Sequence, residues 1–181
     1  MRLKVIDKNL VMALILPVKD KSPVFGSNSY IAPNATVVGD VVMGDDCSVW
    51  FTAVVRGDVN AIRIGNKVNI QDGAIIHCTY EQAATTIGNF VSIGHRAIVH
   101  GCTIEDNVLI GMGAIVMDRA IIKSNSIIAA GAVVLEGTIV ESGTIYGGVP
   151  ARKVKDLDEK NFKNLIERIG NNYSMYASWF Q

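Results

Sequence analysis

Residues 87–98 read IGNFVS followed by IGHRAI. Ile87 and Ile93 open two units of six, each followed by Gly, with Val91 and Ala97 four places on. The same beat runs outward in both directions. Upstream come VVGDVV from Val37, MGDDCS from Met43, IGNKVN from Ile64 and IQDGAI from Ile70; downstream come IGMGAI from Ile110 and IAAGAV from Ile128. Period six is no multiple of the helical 3.6, and the recurring residues are β-formers. The fifth place of the unit is small at Ala35, Cys47, Ala53, Ala74, Ala97, Ala114 and Ala132. A large aliphatic and a small residue, both directed inward in each unit, suit a narrow prism with three flat faces. Such a prism has three hexapeptides per turn, and its turns stack as parallel strands.

Composition agrees with this reading. The 181 residues include 22 Ile and 22 Val but only eight Leu, an inversion towards β-branched side chains that predicts a mostly β protein. With 17 basic and 17 acidic residues the formal charge is zero, which argues against nucleic acid or an anionic membrane as the main partner. At 49% hydrophobic and 19% charged, the chain is not composed like a disordered one. The apolar run Leu10 to Leu16 is stopped by Pro17. It is too short to span a bilayer and no small-residue cleavage site follows it. It reads as a strand or short packed segment of a soluble, cytoplasmic protein. Cys47, Cys78 and Cys102 show no CxxC spacing, so they read as small core residues rather than a disulfide framework or zinc knuckle.

Laid out in register, about 19 units start between residues 31 and 145 and make a little over six turns. Insertions interrupt the count around Ala61 to Arg63 and Tyr80 to Thr85, and single deletions are expected near Thr103 and Thr138. The expected organisation is an N-terminal strand or cap over 1–30, a β-helix over 31–150 and a C-terminal helical segment over 151–181 that packs on the prism. In that last segment Asp156 and Glu159 read as a capping box, and Phe162, Leu165, Ile166 and Ile169 share one helical face. Gly170 is placed to end the helix, ahead of an aromatic tail with Tyr173, Tyr176, Trp179 and Phe180.

The register also organises the histidines, all three of which lie between residues 77 and 100. Every third unit returns to the same face, so Arg56, His77 and His100 are expected to stack on adjacent turns. Adjacent strands lie about 4.8 Å apart, which lets two imidazoles converge on one metal. His95 belongs to a different face, with Asp72 directly below it and Gln71 below Gly94. A single prism cannot easily aim all three at one point. A threefold assembly can, if the face with His77 and His100 packs against the His95 edge of a neighbour. Three His plus water is the ligand set of a catalytic rather than a structural zinc. Arg56 and Asp58 could pair across such an interface, and Asn69, Gln71 and Asp72 are types that orient an imidazole or a bound hydroxide.

These motifs resemble those of the γ-class carbonic anhydrases. R56-G-D58, N69-I-Q71-D72, H77, I93-G-H95 and V99-H100-G follow the family pattern in order and spacing, over nearly the whole chain. The resemblance implies a left-handed parallel β-helix and a homotrimer in which His77 and His100 of one subunit and His95 of the next bind a metal. Zinc is the implied ion, with Fe2+ or Co2+ as alternatives, since His sites accept several metals. It further implies an intersubunit Arg56–Asp58 pair, a Gln71 hydrogen bond to the metal-bound hydroxide, and supporting roles for Asn69, Asp72 and Tyr146. The implied reaction is attack of metal hydroxide on CO2 to give bicarbonate.

The chain departs from the most active members in two places. They carry Glu where this chain has Val59, and a longer acidic loop after the first His. Here that loop is CTYEQAA, leaving Glu81 as its one acid and the one candidate proton shuttle. In this it resembles the shorter, ferripyochelin-binding-like subgroup. Two other classes share the prism: hexapeptide acyltransferases or CoA thioesterases, and a non-catalytic trimer stabilised by metal.

Overall fold

The computed structural model describes residues 12–180, so Leu10 and Val11 of the N-terminal apolar run lie outside the described residues. The six-residue beat becomes a prism whose three faces each stack seven parallel rungs. The first face comprises Leu14–Leu16, the leading halves of Thr36–Met43 and Val54–Ile64, then Ile75–His77, Ile98–His100, Ile115–Val116 and Val133–Val134. The second holds Val24–Phe25, the trailing halves of those two long strands, Thr85–Ile87, Thr103–Ile104, Ile121–Ile122 and Ile139–Val140. The third runs from Tyr30–Ile31 through Ser48–Val49, Asn69–Ile70, Ser92–Ile93, Val108–Ile110 and Ser126–Ile128 to Thr144–Gly147, where Arg152–Asp156 adds an antiparallel edge.

The inward positions fill the prism. Val37, Val55, Ile76, Val99, Val116 and Val134 form a stack with no exposed surface, and the small fifth-place residues are at most 1% exposed. The three cysteines are buried and unpaired. Among the described residues no helix is long and apolar enough to cross a membrane.

Three expectations are corrected. The prism begins ahead of residue 31, because Leu14 pairs with Thr36, Val24 with Val42 and Tyr30 with Ser48, which makes a further turn. The first insertion lies at Asp58 to Ala61, inside the strand Val54–Ile64: Gly57 faces Gly39 and Ile62 faces Val41, so the extra residues bulge from an unbroken strand. No residue is deleted near Thr138. Ile122 pairs with Val140 and Ile128 with Tyr146, so Ile139 points outward and Tyr146 inward. In an Ile-Val pair either residue satisfies the core, and only strand pairing selects the face. The deletion near Thr103 is present, since Ile87 pairs with Ile104 seventeen residues on.

Helix α1 (Glu159–Ser178) starts at Asp158, whose side chain caps the Asn161 amide, and runs through Gly170 to Ser178. An interior Gly costs a helix about 1 kcal/mol, and the contacts beyond it offset this. Ala177 is buried, and Tyr173 stacks edge-on against Trp50 at 5.3 Å. The helix lies on the third face, where the outward-pointing Ser48, Asn69 and Ser92 are all but buried.

Candidate metal centre

The outward residues of the first face form two ladders. In one, Val54, Ile75, Ile98, Ile115 and Val133 pair rung to rung, an uninterrupted β-branched stripe. In the other, Val38 pairs with Arg56 and His77 with His100; Met117 and Leu135 follow the paired Val116 and Val134. Arg56, His77 and His100 are therefore a polar island on an otherwise apolar face.

Around the two imidazoles the geometry is close. His77 Nδ1 and His100 Nε2 lie 3.1 Å apart. Two nitrogens bound to one tetrahedral zinc at about 2.05 Å would stand about 3.3 Å apart, so the pair needs little movement to share an ion. Each ring's other nitrogen meets a carboxylate: His77 Nε2 lies 3.1 Å from Asp58 Oδ1, and His100 Nδ1 lies 2.5 Å from Asp118 Oδ1. Carboxylates on the far side of imidazoles fix the tautomer and ring orientation that a metal ligand needs. Burial pushes the His77 imidazolium down, and Arg56 and His100 add to this against the opposing Asp58. The neutral ring is therefore favoured, the form that binds metal. Burial raises Asp58, but hydrogen bonds from Arg56 and His77 outweigh it and hold the carboxyl below its ordinary range.

The bulge explains how Asp58 reaches the site. Inserted residues on an unbroken strand re-aim their side chains. Within the chain Asp58 Oδ2 takes the Arg56 guanidinium at 2.5 Å, an intrachain pair where the resemblance implies an intersubunit one.

A second group sits at the turn from the third face to the first. His95 Nδ1 lies 2.9 Å from Asp72 Oδ2, again a carboxylate on one ring nitrogen. Gln71 Oε1 accepts from the His95 amide at 3.2 Å while its Nε2 donates to Asn69 Oδ1 at 2.9 Å. Asn69 in turn donates to Ser92. The turn at His95 and Arg96 and the rung Ile98–His100 separate His95 from His100, so the two groups stand on opposite borders of the first face. Among the described residues, no three His, Cys, Asp or Glu side chains of one chain form a group able to hold a metal ion.

Two expected residues join neither group. Glu81 is exposed in the turn after His77, in left-handed conformation. Tyr146 is buried three rungs along the third face from Ile93, about 14 Å by strand spacing; it fills the core where the resemblance implied a place beside the site. Asp118 and Thr79 were missed. The signal for Asp118 is in the register: Val99 pairs with Val116, which sets Asp118 over Gly101, the residue after His100.

The fold and these residues are those of a hexapeptide-repeat protein with a histidine site. Residues 22–57 and 101–136 match the family described as bacterial transferase hexapeptide (six repeats). The chain is 52% identical over 140 residues to the "Probable carbonic anhydrase" of Methanocaldococcus jannaschii, covering 77% of this chain and 87% of that protein. It is 39% identical over 168 residues to the mitochondrial gamma carbonic anhydrase 1 of Arabidopsis thaliana, covering 90% of this chain. Of that relative's own length the chain spans 61%. Among solved structures, a hexapeptide transferase family protein from Anaplasma phagocytophilum superposes with a TM-score of 0.87 at 38% identity, covering 93% and 98% of the two chains. The chain belongs to the γ-class carbonic anhydrase family.

Proposed function

We propose that the protein is a metal-dependent carbonic anhydrase that works as a homotrimer in the cytoplasm. His77 and His100 of one copy and His95 of the next would hold the metal, with zinc the favoured ion. The observation that carries this is the shared pattern of the three histidines. Each has one ring nitrogen against a carboxylate and the other free of one, and they are divided between a face and an edge that one prism cannot bring together.

Shape supports the division. Along the edge, turn-to-turn hydrogen bonds stack Phe51, Asp72, His95 and Met112. Asp72 leads into the rung that ends at His77, and His95 into the rung that ends at His100. The edge is thus polar at the two heights where the first face carries a histidine, and has Phe51 at the height of Arg56 and Met112 beyond His95. Copies related by an axis parallel to the prism would match histidine to histidine and apolar to apolar, burying the β-branched stripe.

A bound metal would supply the Lewis acid that makes water nucleophilic near neutral pH. The chain's own residues then orient the reactants. Gln71, held by Asn69 and by the His95 amide, offers its amide beside the edge histidine. Asp58, fixed by Arg56, keeps His77 in place. Asp72 does the same for His95. With Val59 in the bulge, Glu81 is the acid nearest in sequence to His77 that could carry protons to solvent.

Stopped-flow CO2 hydration by protein loaded with zinc or cobalt tests the reading, with acetyl-CoA turnover as the competing outcome. Acetyl-CoA turnover by metal-free protein, with no CO2 hydration by loaded protein, would replace it by the acyltransferase reading. A metal that raises the melting temperature without hydration would replace it by the non-catalytic trimer. The shared site has its own check: subunit exchange between His95→Ala and His100→Ala trimers restores intact sites, and heterotrimers that recover no metal binding overturn it.

A further inference from the structure

Both insertions in the hexapeptide register fall beside the same two histidines. The first, Asp58 to Ala61, delivers Asp58 to His77. The second, the turn after His77, is closed on itself by backbone hydrogen bonds between Thr79 and Ala83 at 3.0 and 3.3 Å. Asn60 of the first break donates its amide to the Thr79 carbonyl at 3.2 Å, so the two insertions brace each other. Thr79 Oγ1 then donates to Asp118 Oδ2 at 2.7 Å, and the other oxygen of that carboxylate meets His100 Nδ1 at 2.5 Å.

Gly101 makes room for this arrangement. A Cβ there would collide with Asp118 Oδ1, and the residue has φ of +53°, a conformation that side chains disfavour. The carboxylate is thus lodged over a glycine, between a threonine from the turn below and an imidazole.

We propose that Asp118 is a positioning residue for the candidate metal centre, and that the two insertions form one frame that fixes both histidines. Asp58 holds His77 directly; Thr79, braced by Asn60, holds Asp118 on His100. Asp118 keeps the proton on His100 Nδ1 and leaves Nε2, the nitrogen facing His77, unprotonated with its lone pair free for a metal. This rests on the metal-centre reading above and assigns a role to a residue on the next turn of the prism.

The test is metal affinity rather than turnover. Competition between the protein and a chromophoric chelator for Co2+, with the visible spectrum of the bound ion recorded, gives affinity and ligand geometry together. Asp118→Ala is expected to weaken Co2+ binding about 10- to 100-fold and to alter the spectrum. Asp118→Asn, which keeps an acceptor for Nδ1–H, recovers part of the loss. Thr79→Val lowers affinity less, and Thr79→Ser restores it. Nitrogen-15 spectra of the metal-free protein report the same change: His100 is the Nδ1–H tautomer in the wild type and a mixture in Asp118→Ala. Co2+ affinity and spectrum unchanged in Asp118→Ala overturn the positioning role and leave the metal centre standing. A wild-type protein that binds no Co2+ overturns both. If Asp118→Ala does not fold, the Thr79→Val and Thr79→Ser pair decides, and equal affinity in those two overturns the frame.

Discussion

The first and third faces of the prism are built on the same repeat yet have opposite outer surfaces. Pointing outward from the third face, Ser48, Asn69 and Ser92 are small or polar and all but buried where α1 lies on that face, and Phe162, Ile166 and Ala177 of the helix are buried too. On the first face Ile75, Ile98 and Ile115 form the outward ladder, Ile75 exposed and the other two half-buried. One face has its cover in the same chain, and the other is the one that the proposed trimer would cover with another copy. The polar residues differ accordingly. Asn69 and Ser92 bond to each other beneath the helix, whereas Arg56, His77 and His100 break an apolar stripe and are held by carboxylates instead.

Several changes would break or sharpen this contrast. The largest effect is expected from Ile98→Glu, which puts a charge in the centre of the first-face stripe. Sedimentation should then report monomers, and metal retention should fall with the lost edge-to-face contact, while the chain stays folded. On the third face, Phe162→Ala should leave the oligomer intact and destabilise the fold by about 3 kcal/mol, as for other buried aromatic truncations. Chemical unfolding reads the second effect and sedimentation the first. A dissociated Phe162→Ala or a trimeric Ile98→Glu would erase the distinction between the faces.

Smaller effects probe the helix and the turns. Gly170 sits inside α1 with open space where a Cβ would stand. Gly170→Ala should therefore stabilise by about 0.5–1 kcal/mol in thermal unfolding. Glu105, on the turn between the second and third faces, is held below its ordinary range by Lys123 at 2.9 Å and by the Ser124 amide. Its folded value lies below its unfolded one, near 4.3. The stabilisation is thus present above that pH and lost as pH falls through the folded value. The stability difference between wild type and Glu105→Gln should shrink on acidification below about pH 4, and a difference that persists there would assign it to something other than this carboxylate. Both residues are partly exposed, so the difference is small.

The unit of six with a small fifth residue was enough to determine the prism. The inward positions are set by a local beat that backbone pairing repeats at every turn. The same arithmetic stacked His77 on His100 and put Asp72 under His95, because strand register carries a spacing along the chain into a contact across it. Tertiary structure decided what the beat leaves open. Pairing with Ile121 and Ile122 turned Ile139 out and Val140 in, and so placed Tyr146 in the core. Packing on Trp50 and burial of Ala177 carried α1 past Gly170. The carboxylates on His77 and His100 came from a strand bulge and a neighbouring turn, at Asp58 and Asp118. Insertions lie outside any period, so the direction of their side chains follows from the backbone they bulge from and the residues that brace them.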